Sequence, residues 1–316
     1  MEDIIIIGCG PIGLYAAHLA SLHNLKGLVL EARGQVGGQL TSLYPEKDII
    51  DVPGFTKITA KGLIEKFYEQ YSSRENKLPI HLEESVVNFE VIEGGYRLTT
   101  THKVSYETKT VLIVSGMGNF TPRKIGLPNE DEFKNIHYAV TDKAAFKDKK
   151  VVLLGGGDSA VDWDLMLAPL TKDISIVHRR NEFRAQSSSV DEMKQNGTHI
   201  YTPYNTTKLI GEKGVLHAIE ITNNETNEVK TLELDDLIVN FGMIPGQNNF
   251  PVEKKGMNIF VKDCYMTSLE NVFAIGNTIT YNGKVKNITC GLGEAVVAIT
   301  KIDQIINPNK NIPVHF

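Results

Sequence analysis

Short apolar runs recur along the chain, and two of them lead directly into glycine-rich turns. The run Ile4–Ile7 is wholly apolar, as strands buried on both faces of a parallel sheet are. A helical stretch follows it, and a second apolar run occupies Leu28–Leu30. This order of strand, helix and strand predicts a βαβ unit.

The turn after the first run has the spacing G-x-G-x-x-G. Its first glycine permits a tight bend, its second lets the backbone approach a pyrophosphate, and its third lets the helix pack closely on the strand. Glu31 ends the second run, where a carboxylate accepts hydrogen bonds from an adenosine ribose. We interpret the stretch as a dinucleotide site; the alternative is a tight turn without a ligand. The turn residues assigned to this site are Gly8, Gly10, Pro11, Ile12 and Gly13.

The same pattern returns after about 147 residues. A predicted strand over 149–154, KKVVLL, leads into three glycines, a helical stretch from Asp158 to Leu170 and a further strand, Ile174–Val177. Alanine takes the place of the third glycine. Such an internal repeat predicts two nucleotide-binding halves. The turn residues assigned to the second site are Gly155, Gly157, Asp158, Ser159 and Ala160.

The two halves differ in the charge that follows their second strands. The first half has Glu31, whereas the second has His178, Arg179, Arg180 and Arg184. A carboxylate favours a free ribose 2′-hydroxyl, and arginine forks suit a 2′-phosphate, so the second nucleotide is predicted to be NADPH. The alternative is a solvated basic turn. Two dinucleotides on one chain imply hydride transfer between a nicotinamide and a flavin, so the first site is predicted to hold FAD.

These elements predict an α/β fold of two Rossmann-like domains of the three-layer ββα type, the second inserted in the first. We expect an FAD-binding domain over residues 1–117 and 246–316 and an NADPH-binding domain over residues 118–245. Glycine and proline at both crossings would suit a hinge. The spacing of apolar residues also predicts helices over 59–75 and from about 293 to 306.

Composition serves mainly to exclude classes of protein. Hydrophobic residues make up 41% and charged residues 22% of the chain, with a net charge of −5, so nothing indicates nucleic acid as a partner. No apolar run approaches the roughly 20 residues of a membrane helix, and the chain enters its first strand at once, without room for a signal peptide. Cys9, Cys264 and Cys290 are isolated, which fits a cytoplasmic protein without disulfides or a metal site.

Motifs along nearly the whole chain resemble those of the thioredoxin-reductase-like flavoproteins, and within them the bacterial ferredoxin–NADP reductases of that type. The matching stretches are IIGCGPIGL, GGQLTSLYPEK, DVPGF, GNFTPRK, LGGGDSAVDW, HRRNEFRA, DDLIVNFG, FAIGN and GLGEA. Thioredoxin reductases carry a C-x-x-C pair shortly before the second glycine turn, whereas residues 137–146 of this chain read HYAVTDKAAF. Because a dithiol relay needs two neighbouring thiols, thioredoxin reduction is disfavoured.

The resemblance also implies roles for single residues. Glu31 would bind the FAD ribose, Gln39 and Tyr44 would contact the flavin, with the Tyr44 ring stacked on it, and Val86 would lie at the adenine. Phe120 would lie near the flavin, and the three arginines would hold the NADPH phosphate. For Val86 and Phe120, ordinary core packing is the alternative. No side chain is expected to act as an acid or base, because the reaction is centred on the flavin.

The sequence departs from the family pattern at two places. Family members usually carry aspartate after the late glycine of the FAxGD motif, to bind the ribityl chain, and this chain has Asn277. An amide forms a hydrogen bond weaker by about 1 kcal/mol than a carboxylate does, so FAD is expected to be held more loosely. The chain also ends at Phe316, where the reductases usually carry a longer tail over the flavin. That cover is expected to be missing or to come from His315 or Phe316 of a second subunit.

Three functions follow from these observations. The first is an NADPH-dependent reductase that passes electrons through FAD to ferredoxin or flavodoxin as transient partners. The second is a diaphorase or oxidase acting on quinones or other small acceptors, and the third is a non-enzymatic dinucleotide sensor. An acidic carrier requires a basic patch near the flavin; Lys284 and Lys286 are candidates, against the alternative of a solvated loop. The resemblance further implies a homodimer.

Overall fold

The computed structural model describes residues 1–118, 120–244, 246 and 249–310. The chain divides into two compact units. The first comprises Met1–Ser42, Asp48–Phe120 and Pro245–Phe316, and the second comprises Leu43–Lys47 and Thr121–Ile244. The five residues Leu43–Lys47 thus belong to the second unit, although they lie within the first half of the sequence.

Six α-helices and a larger set of short strands are found within the described residues. The helices are α1 (Pro11–Leu22), α2 (Gln39–Ser42), α3 (Ala60–Ser72), α4 (Asp158–Leu167), α5 (Ser187–Gln195) and α6 (Ile288–Ile306). The strands are β1 (Glu2–Ile7), β2 (Gly27–Leu30), β3 (Asp48–Ile49), β4 (Ile58–Thr59), β5 (Ile80–His81), β6 (Val86–Ile92), β7 (Gly95–Thr100), β8 (Ser105–Ile113), β9 (Thr121–Pro122), β10 (Ile136–His137), β11 (Val151–Leu154), β12 (Ile174–Val177), β13 (His199–Tyr201), β14 (Tyr204–Glu212), β15 (Val215–Asn223), β16 (Val229–Glu233), β17 (Asp236–Val239), β18 (Met243–Ile244), β19 (Lys254–Lys255), β20 (Asn258–Phe260), β21 (Val272–Ala274) and β22 (Ile279–Thr280).

The first unit is organised around a seven-stranded sheet of order β5-β2-β1-β8-β7-β6, with β21 also paired to β8. Strands β5, β2, β1, β8 and β21 run parallel, and β7 and β6 add an antiparallel edge. Because β1 lies inside this sheet, Ile4, Ile5 and Ile6 are completely buried. This position explains the uninterrupted apolar run of the first strand.

Two helices of the first unit show how local capping sets their limits. Helix α3 begins at Ala60 because the Thr59 hydroxyl caps it, accepting from the backbone N–H of Gly62 at 3.1 Å. Helix α6 begins at Ile288, five residues before the predicted start near Gly293. The predicted start was wrong because Asn287 is an effective cap: its side chain accepts from the N–H of Cys290 at 2.8 Å.

The second unit has three layers. Its centre is a parallel five-stranded sheet of order β10-β17-β11-β12-β13. Side chains of β11 alternate between two cores: Val151 and Leu153 pack with the residues of helix α4, whereas Val152 and Leu154 pack with the antiparallel sheet β14-β15-β16. Antiparallel sheet, parallel sheet and helices therefore form the expected ββα arrangement.

The two glycine turns lie at equivalent positions in the two units. The first follows β1, which lies between β2 and β8, and the second follows β11, which lies between β12 and β17. Both turns therefore lie at the carboxyl edge of a parallel sheet, where open α/β sheets bind their ligands.

Candidate dinucleotide sites

The glycines of the first turn serve different purposes. Gly8 has φ +106°, and a Cβ there would lie 2.6 Å from the carbonyl oxygen of Val114. A Cβ on Gly13 would lie 2.1 Å from the carbonyl oxygen of Gly8. The protein itself thus excludes larger residues at these two positions. A Cβ on Gly10, in contrast, would meet no described atom within 4 Å. The open space at Gly10 is where a pyrophosphate is predicted to approach.

The start of helix α1 is suited to an anion. Gly10 is its N-cap, Pro11 occupies its first turn, and no side chain of the described residues caps it. Its first N–H groups are therefore left for a ligand, and the positive end of the helix dipole favours negative charge there.

The Glu31 carboxylate is held in place at the end of β2. It is only 6% exposed, and its Oε2 accepts from the backbone N–H of Cys9 at 2.7 Å, within the glycine turn. Its Oε1 accepts from the N–H of Arg33 at 2.9 Å. Each oxygen retains a lone pair for a further donor, such as a ribose hydroxyl.

Asn277 lies next to this turn. The side chain of Ile12 reaches the Gly276–Thr278 turn: its Cδ1 lies 3.1 Å from the position of a Cβ on Gly276. The Asn277 Oδ1 is buried and has no hydrogen-bond partner among the described residues. A buried acceptor without a donor costs about 1–3 kcal/mol, which a ligand hydroxyl would offset. These contacts fit a dinucleotide held between the first glycine turn and Asn277.

The remaining residues predicted for FAD lie on other elements of the first unit, with one exception. Gln39 begins α2, Val86 begins β6 and is partly buried against the core, and Phe120 is buried. The Arg33 guanidinium lies 4.1 Å from the centroid of the Phe120 ring. Their contacts with a flavin remain predictions.

The exception is Tyr44, which belongs to the second unit. Its ring is partly buried against the cluster that includes Val140, Phe146 and Trp163, with the Lys47 Nζ 5.7 Å from the ring centroid. Burial raises the pKa of its hydroxyl. The predicted stacking of Tyr44 on the flavin remains a prediction.

The second glycine turn repeats the division seen in the first. Gly155 has φ +142°, and a Cβ there would lie 2.7 Å from the carbonyl oxygen of Asn240 and 3.2 Å from the Cβ of Ala160. A Cβ on Gly156 would lie 2.4 Å from the His178 ring. A Cβ on Gly157, like one on Gly10, would meet no described atom within 4 Å. Gly157 is therefore the predicted position of close ligand approach in this turn.

Backbone hydrogen bonds hold the arginine segment against the second turn. The N–H of Arg184 donates to the carbonyl of Gly156 at 2.7 Å, and the N–H of Gln186 donates to Asp158 Oδ1 at 3.1 Å. From the β15–β16 connection, the Asn224 side chain donates to the carbonyl of Arg179 at 2.9 Å. The three arginines are exposed, and within the described part of the chain none forms an ion pair. Three unpaired guanidiniums beside the second glycine turn fit the predicted 2′-phosphate.

Two other predicted residues have different surroundings. Ser159 is exposed in the first turn of α4. The His178 ring is buried against Gly156 and stacked on Phe183, with 5.4 Å between ring centroids. Burial, and beyond it the charge of the neighbouring arginines, lowers the pKa of His178. The ring is therefore neutral at pH 7 and forms part of the wall; its contact with a nucleotide remains a prediction.

Sequence reasoning missed two polar residues beside the turns. The Asn240 Nδ2 and the Glu84 Oε2 are buried and unpartnered within the described ranges. Asn240 directly follows β17, and the N–H of Glu84 donates to the carbonyl of Glu31 at 2.8 Å. Each follows a parallel strand at the carboxyl edge of its sheet, a position in the sequence that would have marked them as candidates.

The described residues hold neither a metal cluster nor a membrane-spanning helix. Residues 1–118, 120–244, 246 and 249–310 contain no cluster of three His, Cys, Asp or Glu side chains placed to hold a metal ion. Over the same residues, no helix combines the length and apolar character needed to cross a bilayer. Cys9, Cys264 and Cys290 are free thiols.

Fold and sites together define an α/β protein with two dinucleotide-binding turns, one acidic and one basic in its flanking charge. The family model for pyridine nucleotide-disulphide oxidoreductases matches residues 2–301. The chain belongs to this family, and its cofactors are FAD and NADPH.

Curated relatives extend over nearly the whole chain. A ferredoxin–NADP reductase of Acholeplasma laidlawii is 42% identical over 98% of this chain and 96% of its own length. Ferredoxin–NADP reductase 2 of Shouchella clausii is 41% identical, over 98% of this chain and 94% of that protein. The predicted resemblance to this reductase group is confirmed.

Solved structures confirm the predicted fold class. Thioredoxin reductase from Lactococcus lactis, in its FR conformation, matches with a TM-score of 0.83 and 24% identity over 97% of this chain and 99% of that one. Thioredoxin reductase from T. acidophilum matches with a TM-score of 0.83 and 24% identity over 96% and 98%. At this identity the likeness concerns the fold alone.

Proposed function

We propose that the chain is an NADPH-dependent flavoprotein reductase that passes electrons from NADPH through FAD to ferredoxin or flavodoxin. One observation carries this proposal: each glycine turn leaves an open position beside the start of a helix, at Gly10 and at Gly157, as the close approach of a pyrophosphate requires. The groups beside the turns then distinguish the two ligands. A buried carboxylate lies beside the first turn, and unpaired arginines lie beside the second. The names of the curated relatives support the same reaction.

Each turn has a defined part in the proposed reaction. At the first, the start of α1 would bind the pyrophosphate, Glu31 a ribose and Asn277 a ribityl hydroxyl. At the second, the start of α4 would bind the pyrophosphate of NADPH, and Arg179, Arg180 and Arg184 its 2′-phosphate. FAD, when bound, supplies the conversion between a two-electron donor and one-electron carriers. The chain binds and orients both partners, and we assign no acid or base.

The structure corrects the predicted basic patch for an acidic electron carrier. The Lys284 side chain is only 4% exposed and is paired with Glu294, so it is not available to a partner protein. Lys286 is exposed, and its Nζ donates to Asn258 Oδ1 at 2.8 Å. Loss of one candidate leaves Lys286 as the residue to test.

Further lysines lie near Lys286. Strand β20 pairs with β19 and with β22, and β22 begins two residues after Asn277. The exposed Lys255 of β19 and Lys262 after β20 extend this small sheet's positive charge. We propose this lysine-bearing sheet as the contact for an acidic carrier.

The decisive experiment uses the purified protein. We expect it to retain FAD, to lose the visible flavin absorbance on anaerobic addition of NADPH, and to reduce ferredoxin or flavodoxin faster than a quinone. Faster turnover with the quinone would favour the diaphorase. Retention of dinucleotides without any loss of flavin absorbance would favour the sensor and overturn the proposal.

We also propose a homodimer in a reducing cytoplasm. The free cysteines fit that compartment, and the exposed Val296 and Val297 of α6 offer apolar surface to a second copy. His315 and Phe316, the residues expected to cover the flavin, lie outside the described residues. Sedimentation velocity tests the dimer, and a single monomeric species would contradict it.

A further inference from the structure

A buried ion pair lies close to Asn277 and has no role in the sites above. The Lys284 Nζ lies 2.5 Å from the Glu294 Oε1, and the two side chains are 4% and 2% exposed. Removing two charges from water is unfavourable unless their remaining hydrogen-bonding capacity is satisfied. This cost points to a role for the geometry that the pair enforces.

The Glu294 carboxylate is fully engaged. Besides Lys284, its Oε1 accepts from the Tyr281 hydroxyl at 3.0 Å, and its Oε2 accepts from the backbone N–H of Gly276 at 2.7 Å. Burial raises the pKa of Tyr281, so this hydroxyl stays protonated and donates. The hydroxyl of Tyr281 is in turn hydrogen-bonded to that of Tyr265.

The bond to Gly276 links this pair to the first dinucleotide site. Gly276 has φ +79° and opens the short turn that carries Asn277. The Ile12 side chain, from the first glycine turn, packs against Gly276 on one side and against Gly291 of α6 on the other. Glu294, on the same helix, thus fixes the first peptide of the Asn277 turn relative to α1.

Backbone strain marks the far side of the network. Cys264 and Tyr265 are consecutive residues with φ +53° and +62°, in the left-handed region that non-glycine residues seldom adopt. This conformation brings the Tyr265 ring within 5.8 Å of the Tyr281 ring, measured between centroids. The strained backbone, the buried ion pair and the unpartnered Asn277 amide are therefore linked through the Gly276 turn.

We propose that Glu294 and Lys284 are positioning residues for FAD: their ion pair clamps the Gly276 N–H and thereby aims the Asn277 amide at the cofactor. The inference rests on the proposed function, since it assumes FAD at the first site. Neither residue contacts the ligand in this account. Their effect passes through the Gly276–Asn277 peptide.

The test compares two buried carboxylates of one helix. Glu294→Gln breaks the clamp. Asp303→Asn breaks a second buried ionic cluster of α6, in which Asp303 is paired with His23 at 2.7 Å and with Lys310 at 3.0 Å, nine residues away. Both variants remove one charge from α6, but only the first touches the Gly276 turn. The readouts are the FAD dissociation constant of apoprotein, from quenching of flavin fluorescence, and the melting temperature of the same apoprotein.

We expect Glu294→Gln to raise the FAD dissociation constant roughly tenfold, because its single amide oxygen cannot accept from both Lys284 and the Gly276 N–H, and the buried Lys284 is left without a counter-charge. Asp303→Asn should lower the melting temperature and leave the dissociation constant within about twofold of the wild type. Lys284→Met, which leaves Glu294 buried without its cation, should also raise the FAD dissociation constant. If Glu294→Gln does not fold, Lys284→Met carries the test.

The double variant Glu294→Gln/Lys284→Met distinguishes a positioning role from a simple effect of charge. It removes both charges and keeps an amide oxygen for the Gly276 N–H, so we expect affinity to recover to within about threefold of the wild type. Equal FAD affinity of the wild type and Glu294→Gln, equal losses in Glu294→Gln and Asp303→Asn, or no recovery in the double variant would overturn the inference. Failure of the wild type itself to bind FAD would instead overturn the proposed function.

Discussion

The two glycine turns of this chain share one geometry and differ in how their flanking charges are held. In each turn the first glycine is required by a carbonyl oxygen of a neighbouring strand end, Val114 for Gly8 and Asn240 for Gly155. In each, a later glycine, Gly10 or Gly157, faces open space. The protein's own packing accounts for the first glycine, and we propose that close approach of a ligand accounts for the later one.

The charged side chains beside the two turns differ in burial and in how firmly they are held. Glu31 is buried and fixed by two backbone N–H groups before any ligand arrives. Arg179, Arg180 and Arg184 are exposed, and only the backbone of their segment is fixed. A ligand that stays bound suits the first arrangement, since the site is already formed. A ligand that enters and leaves at every turnover suits the second.

The largest expected effect concerns the open positions. Gly10 has φ −70°, which any residue adopts, and its added side chain would meet no described atom. Gly10→Val should therefore fold normally yet raise the FAD dissociation constant about a hundredfold, or ~2.7 kcal/mol. Flavin fluorescence and thermal melting measure both quantities. The matched variant Gly157→Val should spare FAD and weaken NADPH, and equal FAD affinity in Gly10→Val and wild type would refute the assignment.

The next effect concerns the glycines that packing requires. Gly8→Ala places a Cβ 2.6 Å from a carbonyl oxygen at a positive φ. It should lower the free energy of unfolding by about 2 kcal/mol, even in apoprotein. Gly10→Ala is its control and should leave the stability of apoprotein unchanged. Denaturant titration distinguishes them; equal stability would show that the two glycines do not divide their roles in this way.

A smaller effect is expected from the arginines. Changing Arg179, Arg180 or Arg184 singly to Ala should raise KM for NADPH roughly tenfold, through loss of a charge-assisted bond to the 2′-phosphate. KM for NADH should not change. Lys194→Ala on α5, an exposed charge of the same unit, serves as the control. An equal rise in both KM values would contradict recognition of the phosphate.

The smallest effects contrast the two asparagines. Asn277 lacks a donor for its Oδ1, whereas Asn240 lacks an acceptor for its Nδ2. Asn277→Asp should tighten FAD about fivefold, or ~1 kcal/mol, by charging an acceptor. Asn240→Asp removes a donor and should weaken NADPH. Isothermal titration measures both affinities, and changes of the same sign would refute the opposite roles.

Much of the fold and part of the site could be predicted because they depend on local pattern. The apolar run of β1, the glycine spacing and the positions of Glu31 and the arginines are all properties of consecutive residues. The start of α6 was wrong because the capping strength of Asn287 was overlooked.

The rest depends on contacts between distant residues. Lys284 reads as an exposed basic residue until its pairing with Glu294 is seen. Tyr44 reads as part of the first domain, although it packs in the second unit. The Asn240 Nδ2 and the Glu84 Oε2 lack partners because of how distant segments pack, which the spacing of motifs in the sequence does not show.

Anaerobic titration of the purified, FAD-loaded protein tests the central claim most directly, since the claim is that two unlike dinucleotides bind at two like turns. One equivalent of NADPH should abolish the visible flavin absorbance, and NADH at the same concentration should do so far more slowly. A protein that retains FAD but responds equally to NADH and NADPH, or to neither, would contradict the account.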